Sequence, residues 1–424
     1  MPQTAQIERV GAGTDFALSA DFVPSFDEVL DSGEPELMRE PLREWLARGN
    51  RADATYVYEA WLKAGGEPEL IRESLLEWLA GNAAAKEASF TYSAWLEATG
   101  EVELVRDAIG EWIELHGERQ VAGYIYRDWL SAGGEVQAFS GQICDWLAAH
   151  TDDERVAYRL YWAWLEHGGE PALVARSLER WLAAHPQEEV VGAVCASWLR
   201  AGGERELLRT SIERWLPVHG ESVGAPYVYE TWLKAGGELQ LVRESILGWL
   251  AAHATHQAGS FLCRAWLKAG GEPEPIRASL ARWLEANAAV KSACFLYTAW
   301  LNAGGEVEIV RDAIGVWLAE YGGATSAVTY VYSAWFQAGG DPELVREPIC
   351  EWVTANATKL SASFVFEGWL NSGGEPAVVR DSLRCWMRVH GESPSARYVR
   401  RAWLKARGSA DPTRAGDLAP PVGG

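Results

Sequence analysis

The stretch "YVYEAWLKAGGEPELIRESLLEWLAGN", Tyr56 to Asn82, holds two Trp-Leu pairs separated by "AGGEP". Its first half sets Val57, Ala60, Trp61 and Ala64 at i, i+3, i+4 and i+7, the apolar stripe of an α-helix. Gly65 and Gly66 follow, and glycine readily takes the left-handed conformation after a last helical turn. Pro68 suits the first turn of a second helix, where its missing N–H is no loss, and Glu67 and Glu69 sit at the positive end of that helix's dipole. Ile71, Leu75, Trp78 and Leu79 resume helical spacing at i, i+4, i+7 and i+8. The segment predicts a helix-turn-helix hairpin.

The hairpin recurs. One series comprises Trp61, Trp95, Trp129, Trp164, Trp198, Trp232, Trp266, Trp300, Trp335, Trp369 and Trp403, in steps of 34 or 35 residues. A second runs Trp45, Trp78, Trp112, Trp146, Trp181, Trp215, Trp249, Trp283, Trp317, Trp352 and Trp386, with nearly the same steps. Of the 23 tryptophans, only Trp162 belongs to neither series. Residues 61–113 and 266–318 align without gaps, about 37 of 53 identical, as segmental duplication would leave them. A helix with one apolar stripe cannot bury it alone, so neighbouring units must stack. The expected fold is all-α: an α-solenoid of about eleven 34-residue helix-turn-helix repeats forming a right-handed superhelical rod. With packed helices about 8–10 Å apart, its contour is on the order of 100 Å. The array spans residues 24–407, between a loose leader at 1–23 and a Pro/Gly-rich tail at 408–424, which reads as disordered.

Composition narrows the function classes. The formal net charge of −21 argues against nucleic-acid or anionic-membrane partners, which need a positive surface, and fits a neutral or basic protein partner. No basic-then-apolar signal peptide and no membrane-length apolar run occurs, so a cytoplasmic location is expected. The six cysteines are scattered without a CxxC pair; they form no disulfide or zinc framework and read as small buried apolar residues. No phosphate-binding, zincin or nucleophile-elbow motif is present, so the chain is expected to be no enzyme and to need no cofactor or metal.

At this point the residues carry a resemblance. A 34-residue helical hairpin with aromatic and small residues at fixed places resembles the tetratricopeptide-repeat superfamily. It departs from that signature in having a Trp in both helices and a Gly-Gly turn between them. The stretches "RWLAAHPQEEVVGAVCASWLRAGG", "DWLAAHTDDERVAYRLYWAWLEHGG" and "CWMRVHGESPSARYVRRAWLKARG" are similar to the WL-x-x-H…V-x-x-x-Y-L…G repeats in the solenoid regions of some bacterial signalling and defence proteins. There, NTPase or caspase-like domains accompany the repeats. That resemblance implies a bacterial sensor or scaffold module; within these 424 residues no effector domain is expected.

Recurrence within the array sorts scaffold from candidate site. Features found in nearly every unit serve the unit: the tryptophans, the acid after the glycines (such as Glu67, Glu101 and Glu135), and the Arg six residues before the second Trp (such as Arg39, Arg72 and Arg106). The acid reads as a helix N-terminal group and the Arg as a stem lying on a ring and paired within or between units. His116, His150, His185, His219, His253 and His390, four residues after the second Trp, exchange with Asn82, Asn287 and Asn356; that is the mark of helix C-terminal caps rather than metal ligands.

The informative positions are those two before and two after the first-helix Trp, i, i+4 neighbours on a face with no apolar requirement. They read Glu59/Lys63, Ser93/Glu97, Arg127/Ser131, Trp162/Glu166, Ala196/Arg200, Glu230/Lys234, Arg264/Lys268, Thr298/Asn302, Ser333/Gln337, Glu367/Asn371 and Arg401/Lys405. This ridge changes character along the array, as a surface that reads a protein or peptide would, and it is expected to line the concave side of the solenoid. The competing reading is a solvated face with incidental Glu–Lys pairs. Trp162, in an otherwise polar slot, is either a binding hot spot or the filler of a gap opened by its unit's extra residue. The ends differ in charge. Residues 15–40, with Asp27, Glu28 and Asp31, are acidic, and residues 380–407, with Arg397, Arg400, Arg401 and Lys405, are basic. A head-to-tail homo-oligomer built on these caps is the alternative expectation.

Overall fold

The computed structural model describes residues 34–49, 54–322 and 327–406. The leader and tail at 1–23 and 408–424 lie outside the described residues, as do Asp27, Glu28 and Asp31. Among the described residues there are twenty-two α-helices, six short 3₁₀ turns and no strand. The fold is an all-α solenoid of repeats. No helix among the described residues is long and apolar enough to cross a membrane.

The chain divides into two compact units, Met1–His185 and Pro186–Gly424. In the first, a second-type helix Arg39–Ala47 precedes four hairpins: Ala54–Lys63 with Arg72–Asn82, Ala88–Thr99 with Val102–His116, Ala122–Ser131 with Ser140–Ala149, and Ala157–Glu166 with Pro171–Ala184. The second unit has six hairpins: Val190–Arg200 with Arg209–His219, Ala225–Lys234 with Leu239–Ala252, Ala258–Lys268 with Arg277–Asn287, Ala293–Asn302 with Val307–Tyr321, Val328–Gln337 with Arg346–Asn356, and Ala362–Asn371 with Pro376–His390. A first-type helix, Ala396–Ala406, follows them. Within each unit first helices stack on first helices, and second helices contact second helices and their own hairpin partner.

The buried stripe of a first helix is wider than its periodicity predicts. In Ala54–Lys63 the core takes Ala54, Val57, Tyr58, Trp61 and Leu62, while Ala60 is only half-buried. Such a helix has neighbours on several sides, so two adjacent apolar ridges are covered instead of one.

The turn explains why two glycines stand together. Gly65 has φ +81°, a left-handed conformation that lets the helix end. Gly66 has an unrelated reason: a Cβ there would lie 2.2 Å from Cε2 of Trp61, whose ring lies flat against the turn. That ring's Nε1 donates to the Glu67 carbonyl at 2.9 Å. The same bond, from first-helix Trp to the carbonyl six residues on, recurs in the other turns, for instance Trp129 to Glu135 (3.1 Å), Trp266 to Glu272 (2.8 Å) and Trp369 to Glu375 (2.9 Å). Where Thr99 replaces the first glycine, the helix runs two residues longer and Gly100 itself turns left-handed at φ +66°.

Second-helix tryptophans tie one repeat to the previous one. Trp112 donates to Ala85 O (3.0 Å), Trp146 to Arg119 O (2.8 Å) and Trp249 to Ser222 O (2.9 Å), each in the linker that leaves the preceding second helix. The His/Asn position caps as expected. His150 and His185 reach the carbonyl of the Trp four residues earlier at 2.9 Å, as Asn356 does at 2.8 Å; His116 and His219 instead reach the preceding linker. His150 also stacks on Trp146 with centroids 4.2 Å apart. Buried tyrosines cap the same helix ends: Tyr126 donates to Gly117 O (3.2 Å) and Tyr297 to Ala288 O (2.7 Å).

The two recurring charge series meet each other. Arg39 pairs with Glu67 (2.6 Å), Arg106 with Glu135 (2.8 Å), Arg277 with Glu306 (3.0 Å) and Arg346 with Glu375 (2.7 Å), each linking one second helix to the turn of the next repeat. These pairs are solvent-facing, so they set register more than they stabilise. The stem-on-ring arrangement is seen at Arg243, 5.9 Å from the Trp266 ring centroid. Cys195, Cys263 and Cys294 are buried as expected, but Cys350 is exposed, a correction to the reading of the cysteines as uniformly buried.

One carboxylate is out of place in this scheme. Asp128, next to Trp129, sits where other units carry a small residue such as Ala60, Ala163 or Ala265, and it is buried. Arg127 Nε donates to it at 2.6 Å. Burial nevertheless pushes its carboxyl above the ordinary 3.8, against the pull of Arg127. A raised folded-state pKa means that the folded chain holds the proton better than the unfolded one. The contribution of Asp128 is therefore favourable in acid and lost as the pH rises through the folded pKa. Asp128→Asn is expected to leave stability little changed in acid and to raise it at neutral pH, read as thermal midpoints across that range; an unchanged pH profile would contradict this. For the turn, Gly66→Ala forces the Trp61 ring to move and should destabilise by about 1–3 kcal/mol, whereas Gly65→Asn keeps a residue that tolerates the left-handed region. Urea midpoints of the two variants compare them, and equal loss would show that the ring is not what excludes a Cβ.

Candidate functional site

The first helices present a face with both recurring and variable features. At about 100° per residue, positions five before, two before and two after the tryptophan fall at about 220°, 160° and 200° from it. All three lie opposite the core. The position two after the Trp is exposed in every unit; the position two before it is mostly half-buried, so its side chain lies between neighbouring helices.

The third position was not legible as a site. Five residues before the Trp stand Tyr56, Phe90 and Tyr124 in the first unit, and Tyr227, Phe261, Phe295, Tyr330, Phe364 and Tyr398 in the second. Recurrence marks these rings as scaffold, yet seven of the nine are exposed, Tyr330 by 67% and Phe364 by 64%, while Tyr124 and Phe261 are half-buried. They form a column. Tyr56 and Phe90 have centroids 6.1 Å apart, and Tyr227 and Phe261 5.3 Å. The signal that could have found them is angular, because the inward face of the helix is already supplied by Val57 and Tyr58.

In the first unit, Lys63 pairs with Glu59 at 2.5 Å, and Arg127 with Glu97 at 3.3 Å and with Asp128. Trp162 is 42% exposed beside exposed Glu166, so part of its ring is open to a partner. Every other tryptophan is buried.

The second unit differs in charge. Its positions flanking the Trp carry six basic side chains, Arg200, Lys234, Arg264, Lys268, Arg401 and Lys405, against two carboxylates, Glu230 and Glu367. Lys234 pairs with Glu230 at 2.8 Å, and Arg264 approaches the same carboxylate at 3.9 Å. The Arg264 guanidinium lies 5.6 Å from the Phe295 ring centroid. A cleft of about 530 Å³ opens here, lined by Arg264, Lys268, Phe295, Thr298, Asn302 and Tyr330. In the last helix, Arg397 lies over the Tyr398 ring at 4.5 Å and Arg401 and Lys405 are exposed. Arg400 stands where other units carry a buried Tyr, Cys or Phe and donates to Gly391 O at 2.8 Å, so it caps a helix end.

A larger cleft of about 960 Å³ lies between second helices of the first unit, lined by Glu114, His116, Arg119, Asp145 and His150 among others. Its two histidines already bond backbone carbonyls, His116 to Ala84 at 3.0 Å and His150 to Trp146 at 2.9 Å. Among the described residues no group of three or more His, Cys, Asp or Glu side chains is placed to hold a metal ion. Burial pushes the Cys195 and Cys263 thiols up to about 12, which keeps them protonated and poor nucleophiles. The chain matches no protein-family model and has no significant match among curated proteins.

Proposed function

We propose that this chain is a non-catalytic helical-repeat scaffold or sensor module, akin to tetratricopeptide-like solenoids, that binds a protein or peptide along the outer face of its first helices. The supporting observation is the solvent-facing aromatic column opposite the buried tryptophans, flanked by positions whose polarity varies from repeat to repeat. An exposed ring contributes nothing to the core, so a polar residue would serve the fold as well; contiguous exposed apolar surface with a polar rim marks interaction sites. Rings also supply large contact area at low entropic expense. The charge of the face modifies the expectation of a basic partner, because in the second unit this surface is net positive although the chain carries −21 overall.

Affinity capture from the native host extract, quantified for wild type, for Phe295→Ala/Tyr330→Ala/Phe364→Ala and for a control changed at exposed second-helix acids, tests this. The triple variant should lose the partner recovered by wild type while its helical circular dichroism is unchanged, and the control should keep it. Equal recovery by all three would refute the assignment of the face.

A further inference from the structure

The second unit combines three features on the same face. First, Arg264 and Lys268 are the one basic pair flanking a first-helix Trp before the last helix, and Lys268 has no ion-pair partner among the described residues. Second, the next three first helices carry an amide two residues after the Trp: Asn302, Gln337 and Asn371, all exposed. Third, the rings beside them, Phe295, Tyr330 and Phe364, are exposed by 52, 67 and 64%.

Each feature selects a different part of a ligand. A carboxylate complements the cationic pair, whose Arg already stacks on Phe295. A carboxamide offers both donors and an acceptor, the pairing required by a peptide backbone whose own groups are unpaired; in a helical ligand those groups are used internally. The Gln337 amide nitrogen is held by Ser333 Oγ at 3.1 Å, which leaves its carbonyl oxygen as acceptor. The exposed rings offer stacking surface to apolar side chains. Spacing adds a register: packed helices lie about 8–10 Å apart, and three residues of an extended polyproline-type chain advance about 9.3 Å. Such a chain would present the same face to each successive helix.

Resting on the proposed peptide-binding role, we infer that the face from Arg264 to Asn371 binds an extended acidic peptide segment. Its carboxylates sit in the cleft at Arg264, Lys268 and Phe295, and apolar side chains at every third residue lie against Tyr330 and Phe364. A single nucleic-acid strand also uses rings and cations, but it brings a negative charge with each nucleotide. Beyond the Arg264/Lys268 pair the next three first helices offer amides, hydroxyls and Glu367, and no further cation two residues either side of the Trp.

Fluorescence anisotropy with the full-length chain tests the inference. The probe is a labelled synthetic peptide of two aspartates followed by phenylalanine at every third position among serine and alanine. Its comparators are the same peptide with asparagine for aspartate, and an oligo-uridine strand. The aspartate peptide should bind in a salt-sensitive manner. It should weaken at least about tenfold for Arg264→Gln/Lys268→Gln, the order expected when a close charge pair is lost, and also for Tyr330→Ala/Phe364→Ala. The asparagine peptide should bind weakly and be indifferent to the charge substitution. Equal binding of both peptides, lost only when the rings are removed, would overturn the acidic assignment and leave the aromatic face as a peptide site. Binding of oligo-uridine in preference to the peptide, or of neither probe, would also overturn it. Partner capture by the aromatic face is read separately, so the broader role stands or falls on its own result.

Discussion

The architecture depends on the close seating of the first-helix tryptophan against the second glycine of its own turn. The ring occupies the volume a side chain would need at Gly66, and its Nε1 takes the Glu67 carbonyl at the entrance to the next helix. One residue thereby fixes the turn, satisfies a backbone acceptor and fills the interface between the two helices of the hairpin. Because the contact is made within about six residues of chain, each hairpin is defined locally and only its stacking is left to its neighbours. Hairpins of this kind are the elements from which quasi-one-dimensional arrays are built.

The second-helix tryptophan supplies the complementary constraint across repeats. Its indole donates to a linker carbonyl about 27 residues earlier, and the Arg–Glu pairs span 28 or 29 residues. Both separations are shorter than the repeat, so each contact reaches from one hairpin into its neighbour. Buried tyrosine hydroxyls and the His/Asn caps take up helix-end carbonyls that would otherwise be unpaired. With turn, interface and caps all assigned to recurring side chains, the outer face of the first helices carries little of the packing. That freedom is what allows its polarity to vary from one repeat to the next, and it is the physical basis for reading that face as the binding surface.

Two residues show where a rule of recurrence succeeds and where it fails. Asp128 occurs once, and the structure places it in the core, where it is held by Arg127 and raised in pKa by burial. Tyr330 and its counterparts occur in most repeats, and the structure leaves all but Tyr124 and Phe261 exposed. Uniqueness therefore did not mark a partner contact, and repetition did not mark the core. A repeat array has two reasons to conserve a side chain between units, packing and a repeating ligand, and both leave the same trace in the chain. Trp162 obeys the rule: unique among the tryptophans, it is also the one that is exposed.

Pro68, read as the first turn of a second helix, instead opens a 3₁₀ turn, Pro68–Leu70, ahead of Arg72–Asn82; the sequence by itself determined the all-α class, the repeat length, the first-helix ends set by Gly-Gly, the inward tryptophans and the capping role of His and Asn. All follow from periodicity and local backbone chemistry, which act over a few residues. Only the tertiary structure decided which of two glycines makes room for a ring, that the repeated Arg and Glu meet across repeats, that Cys350 is exposed, and that the aromatic column faces outward beside the Arg264–Lys268 cleft. These are matters of which surfaces the neighbouring helices cover. Coverage is a property of packing between residues about one repeat apart, and no local pattern in the chain encodes it.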